Sequence, residues 1–197
     1  MKLSIITINL NNKLGLGRTI SSVINQTFKD YEFIVIDGAS TDGSVELVEK
    51  YTDKINYWVS EPDRGIYTAM NKGISKAIGE YCLFLNSGDW LFSNNTLKEV
   101  FDSKFVEDIV YGDRMNVSIG NNSTKVTFSD NLTLYDFYES TIGHQSTFIK
   151  RKLFSEVSLY NETSNFDADW EFFMLCLQKH KCSYKHLDVV ICNFDLN

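Results

Sequence analysis

The chain has 197 residues, a formal net charge of -7 and an isoelectric point near 5.0. This acidic balance argues against a protein that binds nucleic acid or anionic lipid through its overall charge. Its 43% hydrophobic residues, 14% aromatic residues and single proline are typical of a globular protein and exclude disordered and collagen-like chains. The length fits one domain, so we expect residues 1–197 to form a single folded unit.

The cysteines and the apolar runs indicate the compartment. Four cysteines are scattered along the chain without a Cys-x-x-Cys pair, which favours reduced thiols over a zinc site: Cys82, Cys176, Cys182 and Cys192. The opening apolar run, 3–8, is too short for the core of a signal peptide, and no stretch approaches the roughly 20 apolar residues of a membrane span. We therefore expect a cytoplasmic protein.

Short apolar runs alternate with helical patterns in the first half of the chain, which is typical of a parallel sheet flanked by helices. The predicted strands span 3–8, 31–36, 57–59 and 81–85, and the predicted helices span 18–26, 45–51 and 66–78. We expect Thr41 or Asp42 to cap the second of these helices. Open parallel sheets bind ligands at the carboxyl ends of their strands, so Asp and Asn residues in the loops there are candidate site residues.

The pattern changes in the second half of the chain. We predict helices near 97–101, at Phe154 and over 170–177, strands over 109–111, 143–150 and 184–191, and a hairpin of 114–119 and 124–128 around the turn 120–123. This half is expected to be mixed and partly antiparallel, and to share one sheet with the first half. The chain stops at 195–197 without a clear closing element, an ending expected of a truncated chain.

Two acidic loops that follow strands are suited to contact a nucleoside. Asp37 ends an apolar strand and precedes Gly38, where a backbone can approach a ligand closely. Asp63 offers a second carboxylate, and the neighbouring Arg64 is suited to bind a phosphate group through two hydrogen bonds. The alternatives are that Asp37 caps a turn and that Asp63 forms a solvent-exposed salt bridge.

The segment Asn86-Ser87-Gly88-Asp89 follows the fourth predicted strand and is a candidate metal-binding loop. Hard divalent cations prefer oxygen ligands, and a carboxylate beside a glycine at the end of a central strand is well placed to bind one. In an acidic protein, a bound diphosphate needs a bridging Mg²⁺ or Mn²⁺ to neutralise its charge. Asp89 is therefore the candidate metal ligand, with a helix cap as the alternative.

Late in the chain, acidic residues lie at the start of a predicted helix. Asp167 is the natural cap of this helix, which leaves Asp169 in the first turn, where the helix dipole favours its ionised form. A general base must be ionised at the working pH, so Asp169 is a candidate base. His144 and Gln145 precede a predicted strand and are candidate ligand contacts, with a structural histidine as the alternative.

The succession of these motifs resembles glycosyltransferase family 2 over nearly the whole chain. The matching segments include SIIT at 4–7, EFIVIDGASTDG at 32–43, DRGIY at 63–67, AMNKG at 69–73, FLNSGD at 84–89, GHQS at 143–146 and DAD at 167–169. The last two resemble a bacterial subgroup that acts in surface polysaccharide synthesis. The resemblance implies the GT-A fold, a Rossmann-like and mostly parallel central sheet flanked by helices, with a mixed, partly antiparallel C-terminal half.

The resemblance also implies roles for individual residues. Asp37 and Asp63 would hold the uracil and the ribose of a nucleotide. Asp89 would close an Asp-x-Asp motif on Mn²⁺ or Mg²⁺, and Asp169 would be the catalytic base. The other implied nucleotide contacts are Thr7, Asn9, Asn11, Arg64, Asn86, Ser87 and Gly88, and the implied donor or acceptor contacts are His144 and Gln145.

The chain departs from the family pattern at two places. Leu10 stands where many members place an aromatic residue that stacks on the base, and Asn86 and Gly88 replace carboxylates of the fuller acidic motif. The resemblance divides the chain into a nucleotide-binding half, 1–112, and an acceptor-binding half, 113–197.

As a mechanism, the resemblance implies one inverting displacement from a nucleoside-diphosphate sugar, a UDP-sugar, to a hydroxyl group of a glycan or polyprenyl-linked glycan. It further implies peripheral association with the inner face of a membrane, and no nucleic-acid partner. One alternative is a sugar nucleotidyltransferase, because 14–19 is similar to the glycine-rich loop of those enzymes, although 9–13 separates it from the first strand. The other alternative is a non-catalytic module that binds nucleotide sugars.

Overall fold

The structure is a computed structural model that describes residues 1–118, 122–139, 142–164 and 167–196. The strands are β1 (Leu3–Asn9), β2 (Tyr31–Asp37), β3 (Tyr57–Ser60), β4 (Tyr81–Phe84), β5 (Trp90–Leu91), β6 (Ile109–Ser118), β7 (Asn122–Val126), β8 (Thr147–Lys150) and β9 (Tyr184–Asp195). The helices are α1 (Lys13–Ile24), α2 (Ser44–Lys50), α3 (Ile66–Lys76), α4 (Thr96–Asp102), α5 (Leu134–Glu139), α6 (Leu153–Glu156) and α7 (Ala168–Met174), with a 3-10 turn at His144–Ser146 and a π-helical turn at Leu175–Lys179.

The described strands form one sheet in the order β3-β2-β1-β4-β8-β6-β9-β5, with β7 paired to β6. Strands β3, β2, β1 and β4 are parallel to one another. Strand β8 then joins β4 to β6 through antiparallel pairings, and β6 and β9 are parallel. The predicted α/β fold, with a parallel first half and a mixed second half, is confirmed.

The order in which successive strands are added to the sheet reverses at β1. Strands β2 and β3 add to one side of β1, whereas β4 adds to the other side. In open α/β sheets, ligands bind in the crevice at the carboxyl ends of the strands where the order reverses. Asn9 and Asp37 are partners in the register of β1 and β2 at this edge. The structure therefore brings together the loops that the sequence predicts to carry the site.

Side chains alternate across β1 and fill one core on each face of the sheet. Ile6 and Ile8 belong to the core that contains Met70 of α3 and Phe172 of α7. Ile5 belongs to the opposite core, which α1 and α4 cover. All residues of β1 are buried, so the strand that carries Asn9 to the crevice is held on both faces.

Helix α1 begins at Lys13, earlier than the predicted start at Arg18. Asn12 caps it, because the Oδ1 atom of Asn12 accepts a hydrogen bond from the Gly15 amide at 3.0 Å. The glycine-rich segment 14–19 is therefore helical and does not form a phosphate-binding loop of the nucleotidyltransferase kind.

The predicted caps of two other helices need correction. The cap position of α2 is Gly43, with a φ of 89°, and not Thr41 or Asp42. Asp42 still contributes, because its Oδ1 atom accepts a hydrogen bond from the Ser44 amide at 3.0 Å. Asp167 does occupy the cap position of α7, but its side chain accepts a hydrogen bond from a preceding serine and none from the helix.

The predicted hairpin forms between β6 and β7, although it differs in its details. Residue 119 of the predicted first strand and residues 120 and 121 of the predicted turn lie outside the described residues, and Asn122 and Ser123, also predicted as turn, belong to β7. The predicted strand over 143–150 is a 3-10 turn followed by β8. Within the described ranges, no helix combines the length and the apolar character needed to cross a membrane.

Candidate active site

A cavity of about 580 Å³ lies at the carboxyl ends of β1, β2 and β4. Its lining includes these predicted nucleotide contacts: Asn9, Asp63, Arg64, Asn86 and Ser87. Pockets for small ligands typically measure roughly 300–1,000 Å³. The cavity therefore has the size and the polar groups expected of a small-molecule site.

One wall of the cavity is aliphatic. Leu10 and Ile66 both line it, and their side chains are 63% and 40% exposed. Exposed apolar side chains at the mouth of a cavity gain free energy when a flat ring covers them. Leu10 thus offers an apolar surface at the position where the family often has an aromatic ring.

Asp37 is buried beneath the cavity and does not line it. Its Oδ1 atom accepts hydrogen bonds from Asn9 Nδ2 at 2.7 Å and Ser40 Oγ at 2.6 Å, and its Oδ2 atom accepts from the Ser40 amide at 2.9 Å and Ser60 Oγ at 2.6 Å. Burial alone would raise the pKa of Asp37, but these hydrogen bonds outweigh burial and lower it. Since these four bonds fill the acceptor sites of a carboxylate, Asp37 holds the loops around the cavity, and a direct nucleotide contact stays a prediction.

Three further predicted nucleotide contacts lie outside the lining of the cavity. Thr7 is fully buried, and its hydroxyl donates to the Leu85 carbonyl at 2.7 Å. Asn11 has a φ of 50°, and its Oδ1 atom accepts from the Thr41 amide at 2.8 Å. Gly88 has a φ of 110°, which glycine adopts without strain. In this structure these residues shape the loops, and their contact with a nucleotide stays a prediction.

Lys72 of α3 holds the loop that carries Asp63. Its ammonium group forms an ion pair with Asp63 and a second ion pair with Glu61 at 2.8 Å. The carboxylate of Asp63 therefore lies in the cavity wall with its charge balanced from behind. Asp63 therefore forms a salt bridge, as in the alternative prediction, but its side chain is only 11% exposed and lines the cavity.

Asp89 is a buried carboxylate with few partners. Its Oδ1 atom accepts a hydrogen bond from the Asp195 amide at 3.3 Å, and no lysine or arginine of the described residues forms an ion pair with it. Burial raises the pKa of Asp89 to about 6, although His144 acts in the opposite direction. A bound cation would stabilise the ionised form of such a group, so Asp89 fits the role of a ligand to a divalent metal.

Among the described residues, acidic, histidine and cysteine side chains do not complete a metal site around Asp89. In the part of the chain that the structure describes, no three such side chains converge on one point. The amide Oδ1 of Asn86 is buried there without a hydrogen-bond partner. A cation at Asp89 would thus depend on a bound ligand for most of its oxygen contacts.

Asp169, His144 and Tyr67 form a hydrogen-bonded line beside the cavity. His144 Nδ1 lies 2.9 Å from Asp169 Oδ2, and the Tyr67 hydroxyl donates to Asp169 Oδ1 at 3.1 Å. Asn86 Nδ2 lies 3.2 Å from His144 Nε2, which joins the line to the lining of the cavity. With this assignment of the Asn86 amide, Nε2 of His144 is the acceptor and Nδ1 carries the proton that is donated to Asp169.

The surroundings of Asp169 keep this buried carboxylate ionised. Burial alone would raise its pKa, but the hydrogen bonds from His144 and Tyr67 outweigh burial and lower the pKa below its usual value. Asp169 also lies in the first turn of α7, where the helix dipole favours a negative charge. The group therefore has the ionisation state that a general base needs.

Gln145 is buried and lies beside an arginine that the sequence analysis missed. A Cβ atom on Gly143 would lie 2.7 Å from Arg114 Nη1 and 2.8 Å from Gln145 Oε1. The guanidinium carbon of Arg114 lies 5.8 Å and 5.0 Å from the ring centroids of Phe128 and Phe194. Glycine at 143 thus lets this turn pack tightly against Arg114, while a contact of Gln145 with donor or acceptor stays a prediction.

Three side chains near the cavity have no role predicted from the sequence: Tyr67, Lys72 and Arg114. Tyr67 and Lys72 lie within the motif segments 63–67 and 69–73, so the motifs mark their positions. The spacing of the motifs does not indicate which residues these two side chains contact. Arg114 lies on β6 in a stretch predicted as an ordinary hairpin strand. Its place beside the 3-10 turn follows from the pairing of β6 with β8, which local sequence does not reveal.

Sequence comparison places these features among known proteins. The chain matches the model of glycosyl transferase family 2 over residues 4–158. It is 29% identical over 200 residues to a PGL/p-HBAD biosynthesis glycosyltransferase of Mycobacterium bovis, an alignment that covers 98% of this chain and 76% of the relative.

Structural comparison gives the same fold. TarS 1-349 of S. aureus in complex with UDP-GlcNAc superposes with a TM-score of 0.82 at 22% identity, covering 100% of this chain and 59% of that chain. The mannosyltransferase PcManGT from Pyrobaculum calidifontis, in complex with GDP-Man and Mn²⁺, superposes with a TM-score of 0.73 at 15% identity, covering 98% and 56%. The chain thus spans less than two thirds of these solved chains, and the likeness confirms the predicted GT-A fold.

Proposed function

Because this chain belongs to glycosyltransferase family 2, we propose that it transfers the sugar of a UDP-sugar to a hydroxyl group of a glycan or polyprenyl-linked glycan, with inversion at the anomeric carbon. One observation carries this proposal. The polar cavity at the switch point of the sheet is joined through Asn86 and His144 to an ionised, buried Asp169. A nucleotide site and a base are therefore adjacent, as a transfer between two bound substrates requires.

The solved relatives support a nucleotide-sugar donor. TarS was solved with UDP-GlcNAc and PcManGT with GDP-Man and Mn²⁺. Of these two nucleotides, UDP is the one that the resemblance of the sequence implies, so a UDP-sugar is the proposed donor. The aliphatic wall of Leu10 and Ile66 would cover the base, and Arg64, exposed at the cavity, would bind a phosphate group.

The base of the proposed reaction is Asp169. An acceptor hydroxyl that approaches its carboxylate transfers a proton to Asp169, while the hydroxyl oxygen forms a bond to the anomeric carbon. The bond from that carbon to the nucleoside diphosphate breaks, and its electron pair leaves with the diphosphate. One carboxylate suffices, because a single displacement forms no covalent glycosyl-enzyme intermediate.

The leaving diphosphate needs positive charge in a protein of net charge -7. Arg64 supplies one such charge at the cavity. A Mn²⁺ or Mg²⁺ ion at Asp89 would add charge that stabilises the leaving group. The burial of the Asp89 carboxylate, which raises its pKa to about 6, and the Mn²⁺ in the PcManGT complex both support this metal.

The acceptor class rests on exposed side chains of α5, the helix that a hydrogen bond of Trp170 joins to α7. Leu134 and Tyr135 of α5 are 61% and 67% exposed, and Trp170 lies next to the base and donates to the Phe137 carbonyl at 2.9 Å. Such exposed apolar and aromatic side chains suit sugar rings and the apolar part of a lipid-linked acceptor. A lipid-linked acceptor would bring the protein to the inner face of a membrane.

The proposal is tested by calorimetric binding of UDP, GDP and CDP, each with and without Mn²⁺, to the purified chain. We expect UDP to bind tightly only with the metal. Asp89→Ala should abolish the metal-dependent binding, whereas Asp53→Ala, a change at an exposed loop residue, should leave it intact. Binding of none of the nucleotides would contradict the proposal.

The transfer step is tested in the same preparation with a screen of UDP-sugars and acceptors. Asp169→Asn should bind UDP as the unchanged protein does, while its turnover falls by about 100-fold or more, because general bases typically contribute that much. Asp167→Asn is the matched control, since Asp167 is exposed and two residues away. Equal turnover in the Asp169→Asn variant would remove this residue from the mechanism.

A further inference from the structure

The carboxylate of Asp169 is held by donors from two separate elements. The Tyr67 hydroxyl of α3 donates to Oδ1 at 3.1 Å, and His144 of the 3-10 turn faces Oδ2 at 2.9 Å. The backbone amide of Trp170 also stabilises the charged carboxylate, so three of its four acceptor sites are filled and one stays open. The two donors therefore fix the plane of the carboxylate and still leave it able to accept a proton.

We propose that Tyr67 is a positioning residue for the base, whose hydroxyl orients the Asp169 carboxylate from the first turn of α3. This inference rests on the proposed function. Nothing in the sequence pattern distinguishes such a role from ordinary packing of an aromatic side chain in a helix. The geometry does, because the buried hydroxyl donates to one carboxylate oxygen of Asp169, while His144 joins the other oxygen to Asn86 in the cavity lining.

The position of Tyr67 links the base to the donor loop. Helix α3 begins at Ile66, directly after the segment 63–65 that lines the cavity. Tyr67 is the second residue of the helix and is 4% exposed, with its ring centroid 5.7 Å from that of Tyr160. A rigid first turn therefore sets the distance between the residues that face the donor and the carboxylate that faces the acceptor.

The hydroxyl of Tyr67 acts as a donor across the working pH range. Burial and the charge of Asp169 raise the pKa of Tyr67 well above its usual value, so the phenol stays protonated. The titratable groups that face Asp169 are Tyr67 from α3, His144 from the 3-10 turn and Tyr160 from the segment after α6. Of these, Tyr160 has a hydroxyl that is buried without a hydrogen-bond partner in the described ranges.

Tyr160 supplies a matched control. Tyr160→Phe and Tyr67→Phe each delete one buried phenol oxygen from neighbouring, packed rings. Only Tyr67→Phe removes a hydrogen bond to Asp169. If the Tyr67 hydroxyl had a purely structural role, the pKa of Asp169 and the pH profile of transfer would be the same in both variants.

The first readout is the pKa of Asp169, followed by carbon NMR of labelled Asp carboxyl groups and assigned with the Asp169→Asn spectrum. Loss of a hydrogen bond to the charged form raises the pKa of a carboxyl group, so Tyr67→Phe should raise it by about one pH unit. Tyr160→Phe should leave it unchanged. Replacement of Tyr67 by 3-fluorotyrosine, whose phenol is a stronger donor, should shift it in the opposite direction.

The second readout is the pH profile of transfer. In Tyr67→Phe we expect kcat to fall by about tenfold at neutral pH through lost orientation, with the KM for the donor within about twofold and the acid limb of the kcat profile moved to higher pH. An unchanged Asp169 pKa, or equal behaviour of Tyr67→Phe and Tyr160→Phe, would overturn the inference. Absence of transfer in the unchanged protein would instead contradict the proposed function, while the NMR titration would still decide the role of Tyr67.

Discussion

At the scale of single residues, Asp37 shows how a buried charge can be stabilised by polar groups alone. Its side chain is fully buried, and its four hydrogen bonds come from Asn9, Ser40 and Ser60. These donors belong to β1, to the loop after β2 and to β3. The carboxylate therefore ties the ends of β1 and β3 to the loop after β2, and its charge contributes to the stability of the site.

The stability of the protein should therefore depend on Asp37 in a pH-dependent way. The pKa of Asp37 is lower in the folded protein than its usual value, so its ionised form stabilises the fold above the pKa of the unfolded chain. This contribution is lost as the pH falls through the lower, folded pKa. Asp37→Asn should reduce the free energy of unfolding by about 1–3 kcal/mol at pH 7.5, and by less as the pH falls towards 3.

Urea unfolding at several pH values measures this difference. Asp53→Asn, at a side chain that is 70% exposed, is the control and should change stability little at any pH. A loss of stability in Asp37→Asn that stays constant over the pH range would show that packing, and not the ionised carboxylate, accounts for the effect.

The residue scale also shows where prediction from sequence ends. Strand order along the chain indicates that Asp37, Asp63 and Asp89 follow strands, and the structure brings all three to one edge of the sheet. Their different surroundings depend on distant partners, Ser60 for Asp37 and Lys72 for Asp63. Those partners become neighbours only when the sheet and α3 have formed, so local pattern cannot distinguish them.

At the scale of secondary-structure elements, the start of α1 is set by one side chain. Asn12 Oδ1 accepts from the Gly15 amide at 3.0 Å, and Asn12 Nδ2 donates to the Ser87 carbonyl at 3.1 Å. A Cβ atom on Gly15 would lie 2.4 Å from the side-chain Nδ2 atom of Asn12, which is too close for the Asn12 cap to keep its position. Glycine at position 15 is therefore required by the cap and lies in the helix despite its low helix propensity.

Two glycine substitutions in α1 should have opposite effects on stability. Gly15→Ala should lower the free energy of unfolding by about 1 kcal/mol or more, because it displaces the Asn12 cap. Gly17→Ala should raise it by about 0.5–1 kcal/mol, because the new methyl group lies 3.6 Å from Leu47 Cδ2, an ordinary contact, and alanine favours the helix. Urea unfolding midpoints of the two variants test this, and a stabilising Gly15→Ala would contradict it.

The same helix explains one error of prediction from sequence. Glycines at 15 and 17 weaken the helical pattern, so the predicted start falls at Arg18, whereas the structure starts at Lys13. By contrast, β1 and β2 were predicted closely, because long apolar runs in buried parallel strands are a strong local pattern. Elements are predictable where local pattern and tertiary packing agree, and caps are missed where a distant contact decides them.

At the scale of the whole molecule, one sheet carries both halves of the chain. Strand β8, from the second half, pairs with β4 of the first half, and β6 joins β8 to β9. The predicted boundary between the halves, at 112 and 113, falls inside β6, where the pairing with β9 shifts register. The two predicted halves of the chain are therefore joined by backbone hydrogen bonds across the sheet.

This arrangement predicts a single cooperative unfolding transition. Trp58 lies on β3 at one end of the sheet order, and Trp90 lies on β5 at the other end. In variants that keep only one of these tryptophans, with phenylalanine at the other tryptophan positions, fluorescence and far-ultraviolet circular dichroism should give the same urea midpoint. Fluorescence midpoints that precede the dichroism midpoint in one variant would show that the two ends unfold separately.

The shared sheet has a consequence for the engineering of chimeras. An exchange of whole halves between relatives would cut β6. It would also replace the residues of β4 and β6 that pair with β8, so strands from two different proteins would have to pair at the centre of the sheet. The loops that face the cavity, by contrast, each begin at the end of a strand, so a swap of one loop would leave the sheet in place. Transplanted specificity should therefore come from swapping single loops onto an unchanged sheet, with each graft starting after the last paired residue of its strand.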